Sequence, residues 1–167
     1  MFKINEVVVY GTTGVCRYDG VSEMKLGREV KQYHVFTPVA QGGSTVFIPT
    51  DNDLLLQRVH PLLTKVQIDE IIESMPADKE VWCNDANGRM RLYADLLKSG
   101  DRGRILLAVR TLLVRRRELS AKGRKLHITD ERALRDAQRL LYDEFSYVLG
   151  IPADKVEDYI MSAFASK

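Results

Sequence analysis

The chain has 167 residues but only two cysteines, one tryptophan and three histidines. No apolar run approaches the ~20 residues that a membrane helix needs. The longest candidates, residues 54–56 and 105–109, are core-sized. The start, MFKINEVVVYG, lacks a basic head, a long apolar stretch and a small-residue cleavage site, so it does not read as a signal peptide, and a cytoplasmic protein without a membrane partner is expected. Cys16 and Cys83 read as small, semi-buried thiols, because a disulfide does not persist in a reducing compartment. His34, His60 and His127 are scattered, and none stands at metal-ligand spacing from Cys, Asp or Glu, which argues against a zinc site. No Gly-rich turn leads from a strand into a helix with a Lys-Ser/Thr ending, and no nucleophile stands in a recognisable context. The carboxylate pairs Asp51/Asp53 and Glu70/Glu73 read as loop or solvent-face residues, since a catalytic pair needs burial and a shifted pKa. Nothing asks for a cofactor, and an enzyme is not expected.

What is present is a charge asymmetry. The net charge is +2, yet residues 1–80 carry 8 basic against 11 acidic side chains and residues 81–167 carry 17 against 12. Between Arg89 and Arg139 the count is 15 against 6. Such a block suits a polyanion partner. A solvated helix surface is the plainer explanation, and charge alone does not separate the two.

The two halves also differ in periodicity. Val7-Val8-Val9-Tyr10 is a β-branched run closed by Gly-Thr-Thr-Gly. Strands are predicted there and over residues 15–25, 30–39, 45–49 and 56–59, joined by glycine-bearing turns, which suggests a small antiparallel sheet or barrel. From residue 61 the pattern is helical. Leu62, Leu63, Val66, Ile68, Ile71, Ile72 and Met75 approach a 3.6 period and predict a helix over 62–75, stopped by Pro76. Further helices are predicted over 88–98, over 102–120, from a Thr129 cap to 149, and from Pro152 onward. Gly100 and Gly150 read as stops and Asp101 as an N-cap. The boundary between the halves falls near residues 51–61.

These elements carry a resemblance. FKINEVVVYGTTGV (2–15), QYHVF (32–36) and TVFIPTDN (45–52) resemble the N-terminal module of the CarD-like (CarD/CdnL/TRCF) family. RLYADLLKSGDRGRILLAVRTLLVRRREL, followed by KGRKLHITDERALRDAQRLLYDEFSYVLGI, is similar to that family's helical domain. Its marks are SGD between helices and the closing set Leu140, Leu141, Glu144, Phe145 and Leu149. The resemblance covers residues 2–165. It implies an α+β protein: a Tudor/SH3-like small β-barrel over residues 1–60 that binds RNA polymerase, then an all-helical DNA-binding domain over 61–167. The barrel is implied to bind the β-subunit lobe, partly by strand addition. The helical domain is implied to reach promoter DNA at the upstream edge of the bubble, with a tryptophan wedged against the minor groove and basic residues on the phosphates. The implied function is a nucleoid-associated transcription regulator that stabilises the open promoter complex, with no cofactor.

Carried onto this chain, the resemblance makes Trp82 the candidate wedge. Arg89 and Arg91 on the following helix, and Lys122, Arg124 and Lys125 in the basic loop, are the other DNA-binding candidates. Trp82 packed between the halves, and the loop cations as a solvated surface, are the plain alternatives. Arg115, Arg116 and Arg117 read as helix-end cations. The polymerase-binding candidates are Met24, Val46, Phe47, Ile48 and Pro49, with Phe47 reading equally as core. The chain departs from the family's pattern at four positions. Gly11 stands where most members have proline, Met24 and Phe47 stand where some have arginine, and in many the tryptophan lies about one turn nearer SGD. A second class of function is a general nucleic-acid-binding module whose barrel serves as an RNA or protein adaptor. It requires exposed aromatics among Tyr10, Tyr18, Tyr33, Phe36 and Phe47.

Overall fold

In the computed structural model, which describes residues 1–165, the β-branched runs of the first part pair into one antiparallel sheet. Its strands are β1 (Val7–Tyr10), β2 (Gly14–Leu26), β3 (Glu29–Pro38), β4 (Val46–Pro49) and β5 (Val59–Pro61), in the order β4-β3-β2-β1-β5. Pro61 sits on an edge strand, where a missing N–H is tolerated. The short strand expected over 56–59 is present but begins later, as β5 at Val59, because a one-turn helix α1 (Asp53–Leu56), capped by Asn52, precedes it. The β2–β3 register shifts between Tyr18 and Gly20, where Gly20 takes φ 113° and Asp19 is held by Arg17 at 2.7 Å and Thr37 at 2.5 Å.

Alternation along these strands sends Val8, Cys16, Tyr18, Phe36 and Ile48 into one core. Phe2, Tyr18 and Phe36 meet there with ring centroids 5.1 to 5.5 Å apart. Gly11 has a structural reason to replace proline. Its φ is +44° and its N–H donates to Arg58 O at 3.0 Å, and proline can do neither.

The second compact unit begins at Leu63 and is all helical: α2 (Lys65–Glu73), α3 (Ala86–Ser99), α4 (Arg102–Ala121), α5 (Ile128–Leu149) and α6 (Ala153–Ala165). The fold is therefore α+β, an antiparallel β unit followed by a helical unit. Ser166 and Lys167, placed in the second domain from sequence, lie outside the described residues.

Cap chemistry sets the helix starts. Thr64 and Gln67 form a capping box, so α2 begins at Lys65 rather than Leu62. Asp85 accepts from Gly88 N at 2.6 Å, which starts α3 two residues before the expected Gly88. His127, not Thr129, is the N-cap of α5. Gly100 and Gly150 close α3 and α5 in the left-handed conformation, and Asp101 caps α4. The core is built from Ile68 and Ile72, Tyr93 and Leu96, Ile105, Leu106 and Leu112, Leu134, Leu141 and Phe145, and Val156 and Ile160.

Candidate nucleic-acid interface

Residues 74–85 between α2 and α3 contain no regular element, yet they are well anchored. Arg110 on α4 donates to the carbonyls of Ala77 and Lys79. Val81 is buried, donates its N–H to Thr111 Oγ1 at 3.1 Å, and accepts from Tyr93 Oη at 2.9 Å. Burial pushes the Tyr93 phenol up to about 12, so it remains a neutral donor. Trp82 is thus attached to a fixed backbone.

Its side chain is braced as well. The Trp82 ring is partly exposed, with Nε1 donating to Asn84 Oδ1 at 3.2 Å. The guanidinium of Arg89 lies 4.3 Å from the ring centroid and that of Arg115 lies 4.4 Å away. Cations over an indole are attracted by its quadrupole. Each is held in turn by a carboxylate. Arg89 Nε and Nη2 both reach the Asp130 carboxylate at 2.9 to 3.1 Å. Arg89 Nη1 also donates to the carbonyls of Cys83 and Asn84 at 2.9 and 3.0 Å. Arg115 Nη2 reaches both oxygens of Glu80 at 3.0 Å.

This arrangement corrects one expectation. Arg89, read as a DNA contact, is only 7 % exposed, and its donors are spent on Asp130 and two carbonyls. It is a positioning residue for the Trp82 segment. Arg91, two positions on, is exposed on the same helix. Met90 between them is also exposed, and sequence reasoning passed over it.

Lys122, Gly123, Arg124 and Lys125 form an exposed turn between α4 and α5. Gly123 takes φ 68°, and Arg124 N donates to Leu119 O at 2.8 Å, so the turn closes the end of α4. Beside it lies a cleft of about 590 Å³ lined by Arg116, Arg124, Lys125 and Arg135, with Glu131 as its one acidic side chain. Arg116 stands 4.0 Å from Glu131. The side chains of Arg91, Lys122, Arg124 and Lys125 form no ion pair among the described residues. Arg115 is not a helix-end cation, because α4 runs on to Ala121.

The β unit divides its candidates differently. Ile48 is 0 % exposed and belongs to the core, which corrects its reading as a contact residue. Phe47 is 43 % exposed, while Met24, Val46 and Pro49 are partly buried. β4 is an edge strand paired only to β3. Thr50 N donates to Gln32 O at 3.0 Å, and backbone pairing alternates along an antiparallel strand. Ile48 and Val46 therefore face β3 with their backbones, and the N–H and C=O of Phe47 face outward.

The chain matches the family model of the CarD-like/TRCF RID domain over residues 2–60 and that of the CarD C-terminal domain over residues 70–161. It belongs to the CarD-like family, with both of the domains that these models describe. Membership assigns it to transcription regulation through interaction with RNA polymerase, in a family of non-enzymatic factors. A search of curated proteins found none that matches the chain. Among the described residues, no helix is long and apolar enough to cross a membrane.

Proposed function

We propose that the β unit binds the β-subunit lobe of RNA polymerase and that the helical unit sets Trp82 against promoter DNA at the upstream edge of the bubble, stabilising the open complex. The observation that carries this reading is a partly exposed indole braced by two guanidiniums on an anchored segment. Separating a base step with an aromatic wedge costs about a few kcal/mol. A side chain already held in place loses little further entropy on insertion. Arg91, Lys122, Arg124 and Lys125 supply exposed cations for phosphates, a sequence-independent and salt-sensitive interaction. Tethering to polymerase raises the local DNA concentration and offsets weak intrinsic affinity.

On the polymerase side, the outward backbone of Phe47 and its exposed ring suit short strand addition at β4, with Met24, Val46 and Pro49 as flanking contacts. For the adaptor reading, Tyr18 and Phe36 are spent in the core, which leaves it the exposed Phe47 and the partly buried Tyr10 and Tyr33.

The test is the lifetime of a promoter open complex on linear DNA after competitor is added, with the cognate polymerase. The wild-type chain should lengthen it, and Trp82→Ala should lose the effect while still binding polymerase. A wild-type chain that binds polymerase but leaves the lifetime unchanged would refute the wedge. No polymerase binding at all would favour the adaptor.

A further inference from the structure

Arg89 and Arg115 both lie over Trp82, but they differ in how firmly each is held. The side chains of Arg89 and Asp130 are 9 % and 2 % exposed, whereas those of Arg115 and Glu80 are 33 % and 53 % exposed. Pulling the buried arginine from its partner strands a charge in the interior. An exposed pair adds little net stability, because water and salt compete for both ends. Arg115 is therefore the guanidinium that can change partners.

We propose that Arg115 is a phosphate-binding residue of the DNA interface and that the Glu80 carboxylate holds its place in the free protein. The inference rests on reading Trp82 as the DNA-facing residue and extends that reading to its neighbour. Both Glu80 oxygens lie 3.0 Å from Arg115 Nη2, and a guanidinium takes two phosphate oxygens as readily as two carboxylate oxygens. A cation 4.4 Å from the wedge ring lies within reach of the phosphates that flank any base step the ring enters.

Glu80 is built to yield. It is exposed and lies outside any helix or strand. Its neighbours Lys79 and Val81 are pinned through their backbones by Arg110 and Thr111, so its side chain can swing away while Trp82 stays in place. In the free protein the carboxylate keeps Arg115 over the indole and neutralises it. At the DNA a phosphate takes over that contact.

The experiment measures affinity of the full chain for a labelled forked DNA duplex over a range of salt, without polymerase. Glu80→Gln should tighten binding roughly two- to fivefold, since the competing carboxylate is gone. Arg115→Gln should weaken binding and reduce the slope of log affinity against log salt by about 0.9, the loss of one phosphate contact. In an Arg115→Gln background, Glu80→Gln should have no effect. Asp78→Asn, which removes a nearby exposed carboxylate, is the control for net charge. If Asp78→Asn tightens binding as much as Glu80→Gln, or if Glu80→Gln still tightens binding without Arg115, the proposal is wrong. It also falls if the wild-type chain does not bind the fork at low salt. Fluorescence of Trp82, the sole tryptophan, gives a second readout. Its emission should change on DNA binding in the wild type. An open-complex lifetime insensitive to Trp82→Ala, with the Glu80–Arg115 coupling intact, would sink the wedge and leave the phosphate contact standing.

Discussion

Arg89 and Asp130 lie 41 residues apart in the chain, and the Arg89 guanidinium closes on both oxygens of the Asp130 carboxylate at 2.9 to 3.1 Å. The pair joins α3 to the start of α5, and through the Cys83 and Asn84 carbonyls it holds the segment that carries Trp82. Removing one member leaves the other charged and buried. Arg89→Met or Asp130→Ala should each cost about 3–5 kcal/mol of stability, read from the denaturation midpoint. Both should also shift Trp82 emission before global unfolding, because the indole loses a brace. A midpoint unchanged in either variant would contradict this account.

Glu144 performs a comparable task at the other end of the helical unit. It is buried, accepts from Leu63 N at 2.9 Å, and meets Arg102 Nε at 3.0 Å. Arg102 in turn reaches Gly100 O at 3.1 Å, so Glu144 secures the turn between α3 and α4. Glu144→Leu should destabilise the unit by about 3 kcal/mol or more despite its added apolar bulk, measured by urea denaturation. Glu144→Gln should retain part of that loss, since an amide oxygen still accepts from Leu63.

Gly88 lies against Cys83. A Cβ there would meet Cys83 Sγ at 2.8 Å and Asp85 Oδ2 at 3.2 Å. Alanine normally improves a helix position by up to about 1 kcal/mol. Here the clash should reverse the sign, so Gly88→Ala should lower stability by about 1 kcal/mol. In a Cys83→Ala background the same change should become neutral or stabilising. Thermal midpoints of the four proteins check the reversal.

Phe47 and Ile48 should separate stability from binding. Ile48→Ala empties a fully buried site and should cost about 2–5 kcal/mol. Phe47→Ala should leave the denaturation midpoint within about 0.5 kcal/mol while weakening capture of polymerase. Equal losses of stability in both variants would remove Phe47 from the proposed interface.

His34 gives the β unit a pH dependence. Burial is the main cause that lowers its pKa below the ordinary 6.5, with the positive N-terminus adding to it, and Nδ1 lies 2.9 Å from Tyr18 Oη. A depressed pKa means the unfolded chain binds the proton first as pH falls. The contribution of neutral His34 is therefore present above the unfolded value and is lost as pH falls through the folded one. An NMR titration should place His34 below 6.5. Stability of the β unit should decline on acidification in that window, and less so in His34→Gln.

Much of this organisation was legible in the sequence because its causes are local. Period-2 and period-3.6 runs separated the β half from the helical half, and Gly100, Asp101 and Gly150 punctuated the helices where φ and cap chemistry demand it. The family resemblance and the family models agree over both halves. The helix starts moved by a few residues because caps such as Thr64 and His127 compete with the apolar pattern.

By itself the sequence determined the two halves, their order, the basic block and the placing of the one tryptophan at its edge. Which cations are spent internally was decided only by tertiary structure. Arg89 and Arg91 stand two residues apart with the same charge, yet α5 brings Asp130 to one and leaves the other in solvent. Phe47 and Ile48 are adjacent, and alternation says that they face opposite ways. It does not say which faces inward until the Phe36 and Tyr18 core is assembled. Local signals act over a few residues, while burial and ion pairing depend on which distant element folds against a side chain.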